Sequence, residues 1–312
     1  MNTDSGKPSR LLAWLQLLRL PNVFTAMADV AMGFLFTHET LQPFGEFTLL
    51  ILVSSCLYTA GMVLNDWHDV AVDTIERPQR PLPSGRIARR TAGFVGAGFV
   101  FAGFIAGGLA SSLSHDQRPI NVSFALLVLM LSYDLVLKSS PIGPVIMGSC
   151  RLLNVLLGMS TMPGPWTRDN FAVAAGIGLY ILGVTWFARK EVMASSRVQL
   201  FGSLACMFAG MLTLWWVVPR VQVELPPLLM QLKPHLWTVF WLAVAPLISW
   251  RFIRAIIYPQ PAHVQAAVKA GILGIIVLDA AVVFGIRGCL PTIGILCLLV
   301  PAILLGRWVY ST

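Results

Sequence analysis

Asn65-Asp66-Trp67-His68-Asp69-Val70-Ala71-Val72-Asp73 is the densest polar cluster in the chain, and it follows directly on residues 47–64, a run without a single charged side chain. About 20 apolar residues in a row cross the hydrocarbon core of a bilayer as a helix, so such a run delivers its acidic end at the membrane surface. The three aspartates stand at i, i+3 and i+7. On a helix they share an arc of about 60°, with Asn65 one turn before Asp69. Three like charges on one face call for a cation between them, and hard carboxylate oxygens suit Mg²⁺, which takes one or two carboxylates together with substrate phosphate oxygens.

Immediately downstream comes Glu76-Arg77-Pro78-Gln79-Arg80-Pro81-Leu82-Pro83-Ser84-Gly85-Arg86. Pro78 is expected to end the helix and the three prolines to hold the chain stiffly extended, which keeps Arg77 and Arg80 from scattering. Ser84 is placed to cap the next helix. Guanidinium groups grip phosphate in bidentate fashion, so an acidic, metal-suited face followed by an arginine loop reads as a diphosphate site.

The rest of the chain has the same character. Of 312 residues, 56% are hydrophobic and 12% charged, with a mean hydropathy of +0.75. A soluble domain carries about 25% charged residues, which excludes an ordinary soluble enzyme. Runs 91–113, 171–188, 198–219, 236–250 and 288–306 are also free of charge, and runs 20–38, 119–137, 139–163 and 264–286 carry one or two. That makes ten candidate spans, or nine if two merge, and the absence of period-two alternation excludes a β-barrel. The expected fold is an all-α polytopic transmembrane bundle over residues 11–312, preceded by a polar tail at 1–10 and a retained first span rather than a cleaved signal. The five cysteines sit in apolar runs without a CxxC pair and read as small buried hydrophobes.

The net charge of +8 is explained by topology. With the N-terminus cytoplasmic and ten alternating spans, 14 basic residues fall inside and five outside, as the positive-inside rule demands. The expected location is therefore the inner (plasma) membrane of the cell, and no nucleic-acid partner is needed. Neither a P-loop nor a dinucleotide fingerprint is present.

Asn65-Asp66-x-x-Asp69-x-x-x-Asp73 followed by Arg77-Pro-x-Arg80-Pro-Leu-Pro-Ser-Gly resembles the first aspartate-rich motif of the UbiA superfamily of intramembrane prenyltransferases. The resemblance covers most of the chain; only run 288–308 exceeds the usual nine helices. It implies a central cavity opening near the cytoplasmic side and two acidic motifs, after helices two and six, that together hold Mg²⁺ and a prenyl diphosphate. The second motif matches Thr185-Trp186-Phe187-Ala188-Arg189-Lys190-Glu191-Val192-Met193-Ala194-Ser195, where Glu191 and Ser195 occupy the two acidic positions. The resemblance thus assigns Asp66, Asp69, Asp73 and Glu191 to metal and catalysis. It assigns Arg77, Arg80, Lys138, Arg189 and Lys190 to the diphosphate. The Trp-Phe-Ala-Arg-Lys-Glu stretch is similar to the EboC-like branch.

The remaining polar residues complete the expectation. Arg151 and Asn154, three apart inside a span, are expensive in lipid and should face a cavity, and Asp29 and Asp279 are intramembrane carboxylates placed to partner Arg151, Lys269 or each other. Tyr133 resembles a family tyrosine facing the diphosphate, and Arg19 with Asn22 resembles the family's entry motif; Asn22, Asn65, Tyr133, Arg151 and Asn154 are therefore placed at the cavity and acceptor. Gly103-x-x-x-Gly107 reads as helix packing. The implied activity is Mg²⁺-dependent transfer of a prenyl group to an aromatic or other electron-rich small-molecule acceptor within the bilayer. A non-catalytic isoprenoid-binding or transport protein is the alternative, and Ser195 in place of an acid is the feature that favours it.

Overall fold

The computed structural model describes residues 10–189, 197–221 and 227–309. The described residues form helices and no strand. In order these are α1 (Arg10–Leu17), α2 (Leu20–Thr37), α3 (Phe44–His68), α4 (Val70–Glu76), α5 (Arg89–Ser114), α6 (Arg118–Ser132), α7 (Gly143–Gly158), α8 (Arg168–Ala188), α9 (Arg197–Val217), α10 (Pro227–Ile257), α11 (Pro261–Arg287), α12 (Cys289–Leu296) and α13 (Leu299–Trp308). A π-helical turn, Tyr133–Leu137, extends α6.

Local chemistry sets the boundaries. Pro21, Pro119, Pro144 and Pro261 sit in first turns, where the missing N–H costs nothing. Thr167 and Asn170 cap α8 reciprocally, each side chain accepting from the other's backbone N–H. Gly288, at φ 77°, ends α11 and lets α12 start at once.

Among the described residues nine helical stretches are long and apolar enough to cross a membrane. The tenth expected run folds as α7, whose 16 residues reach only about 24 Å. Its C-terminal end, from Asn154 to Gly158, is buried inside the bundle, while Ile142 and Val145 at its start are exposed. The chain is a multi-pass membrane protein, with α2, α8 and α11 mostly buried and α5, α6 and α12–α13 presenting apolar side chains such as Phe101, Phe124 and Leu290 outward. Of the five cysteines expected to be buried only Cys56 is; Cys150 and Cys206 are half-buried and Cys289 and Cys297 lie on that outer surface, where lipid accepts a thiol as readily as a core does.

The inner helices meet backbone to backbone. A Cβ on Gly33 would lie 2.3 Å from the Val155 carbonyl, and one on Gly158 would lie 2.3 Å from that of Val30, so α2 and α7 touch through two bare glycines. Gly107 has the packing role expected of it, against Ser123 of α6. Tyr180 of α8 donates to the Gly271 carbonyl of α11, 3.0 Å away. These contacts fix the walls around a central opening.

Candidate active site

The acidic run stays helical through a hinge. α3 ends at His68 and α4 resumes at Val70, while Asp69 N–H bonds the Asn65 carbonyl at 2.9 Å and Asp73 N–H bonds the Asp69 carbonyl at 2.8 Å. Each aspartate of the run meets a cation. Arg19 reaches Asp66 Oδ1 at 2.9 Å, Arg80 Nη1 reaches Asp73 Oδ2 at 2.7 Å and Asp66 Oδ1 at 3.4 Å, and Lys138 Nζ is in contact with Asp69 Oδ1. Lys138 also lies 3.5 Å from Asn65 Oδ1. Arg19 does this from a left-handed backbone, φ 44° and ψ 44°, between α1 and α2. That conformation is costly for a side chain with a Cβ and clusters at functional sites.

The loop after α4 departs from the expected extended form. It is a series of tight turns, with Arg80 N–H bonded to the Arg77 carbonyl, Ser84 N–H to Arg80 and Gly85 N–H to Leu82. Proline's fixed φ near −65° serves turns as well as extended chain, and every turn here recovers backbone bonds. Ser84 does not cap the next helix, which begins after Ala88 without a side-chain cap; its hydroxyl donates to the Arg80 carbonyl at 2.6 Å and accepts from Arg86 Nε. Leu82 and Ile87 are buried with Leu17 of α1 and Val63 of α3. Rigidity of the arginine loop therefore comes from turns and an apolar anchor.

These residues rim a cavity of about 540 Å³. Asn22, Asn65, Asp69, Asp73, Arg77 and Arg80 line its polar mouth, with Tyr133, Lys138 and Arg151 further round, while Ile181, Val184, Ile272 and Ile275 form an apolar wall. A smaller opening of about 80 Å³ between α3, α6 and α7 shares Tyr58, Tyr133, Asp134 and Arg151 with it, and Asn154 lines this one. Arg151 is clamped by Asp29 and Thr25, each at 2.8 Å, and its guanidinium lies 5.3 Å from the centre of the Tyr58 ring. Asn154 bonds Asp29 at 3.0 Å, the Ala26 carbonyl at 2.9 Å and Ser54 at 2.7 Å. Asp29 is thus the partner of Arg151, and this buried bridge holds Arg151 at the cavity wall.

Not every expected residue joins this arrangement. Asp66 is buried and held by Arg19 and Arg80; it is not among the residues lining the cavity. Arg189 is exposed and donates to the Ser139 carbonyl at 3.1 Å. Lys190, Glu191 and Ser195 lie outside the described residues. Among the described residues no three His, Cys, Asp or Glu side chains converge on a single point. Mg²⁺ needs fewer, since one or two carboxylates with water and phosphate oxygens complete its octahedron. Asp69 and Asp73, both facing the cavity, fit that requirement.

The sequence reading passed over Asp134. It lines both openings, is 4% exposed, and its Oδ2 has no hydrogen-bond partner. The available signal was a carboxylate inside an otherwise apolar span, which is functional by default.

Comparison with known proteins agrees with this architecture. Over 134 residues the chain is 34% identical to digeranylgeranylglyceryl phosphate synthase of Sulfolobus acidocaldarius, covering 43% of this chain and 46% of that protein. Over 159 residues it is 30% identical to the synthase of Methanopyrus kandleri, covering 49% and 56%. The chain thus matches about half the length, or less, of these curated relatives. A solved digeranylgeranylglyceryl phosphate synthase superposes with a TM-score of 0.58 at 18% identity, over 90% of this chain and 99% of the other. A UbiA homologue from Archaeoglobus fulgidus bound to GPP and Mg²⁺ superposes with 0.56 at 14% identity, over 84% and 99%. The model of the UbiA prenyltransferase family matches residues 26–272, which is most of the chain and includes the whole acidic run and its loop, and so the chain belongs to that family.

Proposed function

We propose that the protein transfers a prenyl group from a prenyl diphosphate to an electron-rich small-molecule acceptor within the bilayer, with Mg²⁺ as cofactor. The observation that carries this reading is the pairing of Asp69 with Lys138 and of Asp73 with Arg80 at the mouth of an apolar-walled cavity. A magnesium diphosphate brings both a cation for the carboxylates and an anion for the lysine and arginines, so it satisfies both halves of each pair at once. Solved homologues holding DMAPP or GPP with Mg²⁺, and relatives named digeranylgeranylglyceryl phosphate synthase, support the substrate class.

In this mechanism Asp69 and Asp73 hold the metal, with Asp66 keeping Arg19 and Arg80 in place and Glu191 as a further proposed ligand. Bound Mg²⁺ supplies charge neutralisation for the departing diphosphate. Arg77, Arg80 and Lys138, with Arg189 and Lys190 of the second motif, take the phosphate oxygens. The C–O bond of the prenyl diphosphate breaks with its electron pair leaving on diphosphate, and the allylic carbon bonds the acceptor, which loses a proton. Ile181, Val184 and Ile272 keep water from the cation. The arginine-rich loop faces the cytoplasm and the N-terminus lies on the same side, in the inner (plasma) membrane.

The test is diphosphate release from geranylgeranyl diphosphate by purified protein in lipid, Mg²⁺ against EDTA, with a membrane extract as acceptor source. Metal-dependent release with a new prenylated lipid is expected. Tight binding indifferent to Mg²⁺, without release, would overturn it in favour of an isoprenoid carrier.

A further inference from the structure

Asp134 is the unused chemical group of the site. It sits on the π-turn, where Lys138 N–H bonds the Tyr133 carbonyl five residues back at 2.9 Å. The wider turn brings Tyr133, Asp134 and Lys138 to one cavity wall, and such turns recur at functional sites. Lys138, the nearest cation along the chain, is taken by Asp69 and Asn65, so it does not neutralise Asp134 by direct contact. Asp134 Oδ2 remains buried and unbonded, a state that costs several times an ordinary hydrogen bond unless a ligand supplies the donor. Its position is also distinctive. It borders both the diphosphate cavity and the narrower opening beside Gly61, whose Cβ would lie 3.8 Å from Oδ2. A group held against Oδ2 would border both openings, beside Gly61, which stands five residues before Asp66 on α3.

We propose that Asp134 Oδ2 receives the hydroxyl hydrogen of the acceptor, which makes the acceptor an alcohol or phenol and Asp134 the base of the transfer. This rests on the transferase reading above. As the allylic C–O bond breaks and its electrons leave with diphosphate, the acceptor oxygen bonds the allylic carbon. The O–H proton passes to the Asp134 carboxylate, leaving a carboxylic acid that returns the proton to water through the open mouth after product leaves.

Two arms test it. In the first, wild type, Asp134→Asn and Asp134→Leu are compared for binding of geranylgeraniol and of its methyl ether, which lacks the donor. Wild type should prefer the alcohol by about tenfold, Asn should keep part of that preference through its amide oxygen, and Leu should abolish it. Replacing an unsatisfied buried carboxylate by an apolar group relieves a cost, so Leu should fold; Asp134→Ala serves if it does not. In the second arm, turnover with the membrane extract should fall at least 100-fold in Asp134→Asn, while Mg²⁺-dependent affinity for geranylgeranyl diphosphate stays within threefold. An absent alcohol preference in wild type, its survival in Leu or Ala, or full turnover in Asn overturns the proposal. Loss of metal-dependent turnover in wild type itself would instead overturn the transferase reading, and the binding arm would still decide whether Asp134 takes a hydroxyl.

Discussion

Arg80 holds the two ends of the acidic run together: one nitrogen, Nη1, lies 2.7 Å from Asp73 Oδ2 and 3.4 Å from Asp66 Oδ1. Since its side chain is 14% exposed against 6% for each aspartate, the pairing is largely shielded from water. Arg80→Ala should destabilise the protein by about 1–3 kcal/mol by leaving a buried acceptor unpaired, and Mg²⁺ should restore part of that loss. Thermal unfolding in detergent with and without Mg²⁺ measures both.

Asp29 and Arg151 form a buried pair joining α2 to α7. Removing one partner leaves an uncompensated charge, at a cost of about 3–5 kcal/mol, whereas an apolar replacement of both is far milder. Asp29→Leu or Arg151→Met alone should therefore destabilise strongly, and the double variant less than either. Equal or additive losses in a double-variant cycle would contradict this account.

The glycine contact between α2 and α7 predicts a sharp contrast. Gly158→Ala places a methyl 2.3 Å from the Val30 carbonyl and should cost about 1–3 kcal/mol or more through overpacking. Gly98→Ala meets nothing within 4 Å and should be neutral or stabilising by about 0.5–1 kcal/mol through helix propensity. Comparing the two unfolding midpoints separates packing from propensity.

Acid sensitivity should arise in part at the turn between α5 and α6. Hydrogen bonds from Arg118 hold the Asp116 carboxyl below its ordinary value of 3.8. A carboxyl with a depressed native value adds stability above about pH 4 that is lost as the pH falls through that native value. Arg118 also donates to the Gly164 carbonyl at 2.8 Å, so protonation of Asp116 loosens the link to the loop before α8. Asp116→Asn should flatten the acid limb of a stability–pH curve and leave the neutral region unchanged in shape.

Much of this was legible in the residues because lipid imposes a blunt rule: uninterrupted apolar runs must be helical, and all ten are, run 288–306 as the pair α12 and α13. Asp69 and Asp73 were legible because charge at the end of such a run has few structural uses. The shape of the arginine loop was not, because prolines favour turns and extended chain about equally and the choice was made by the distant burial of Leu82 and Ile87 against α1 and α3. Asp134 showed in the sequence only as a lone carboxylate in an apolar span; its place on the cavity wall depends on a π-turn, an insertion in helical phase that leaves no mark in composition. The partner of Arg151 was narrowed to two aspartates by sequence, and only the approach of α2 to α7 through Gly33 and Gly158 selects Asp29.

The matching of Asp66, Asp69 and Asp73 to Arg19, Lys138 and Arg80 has a consequence for how ligand reaches the site. Three anions and three cations at short range cancel, so the mouth projects little field beyond the Debye length of about 8 Å at physiological salt. On the proposed transferase reading, capture is an exchange of neighbours, in which the carboxylates would release their cations to the incoming phosphates and take up the metal. Association should depend only weakly on ionic strength, and discrimination among anionic lipids should reside in the geometry of that exchange rather than in attraction from afar.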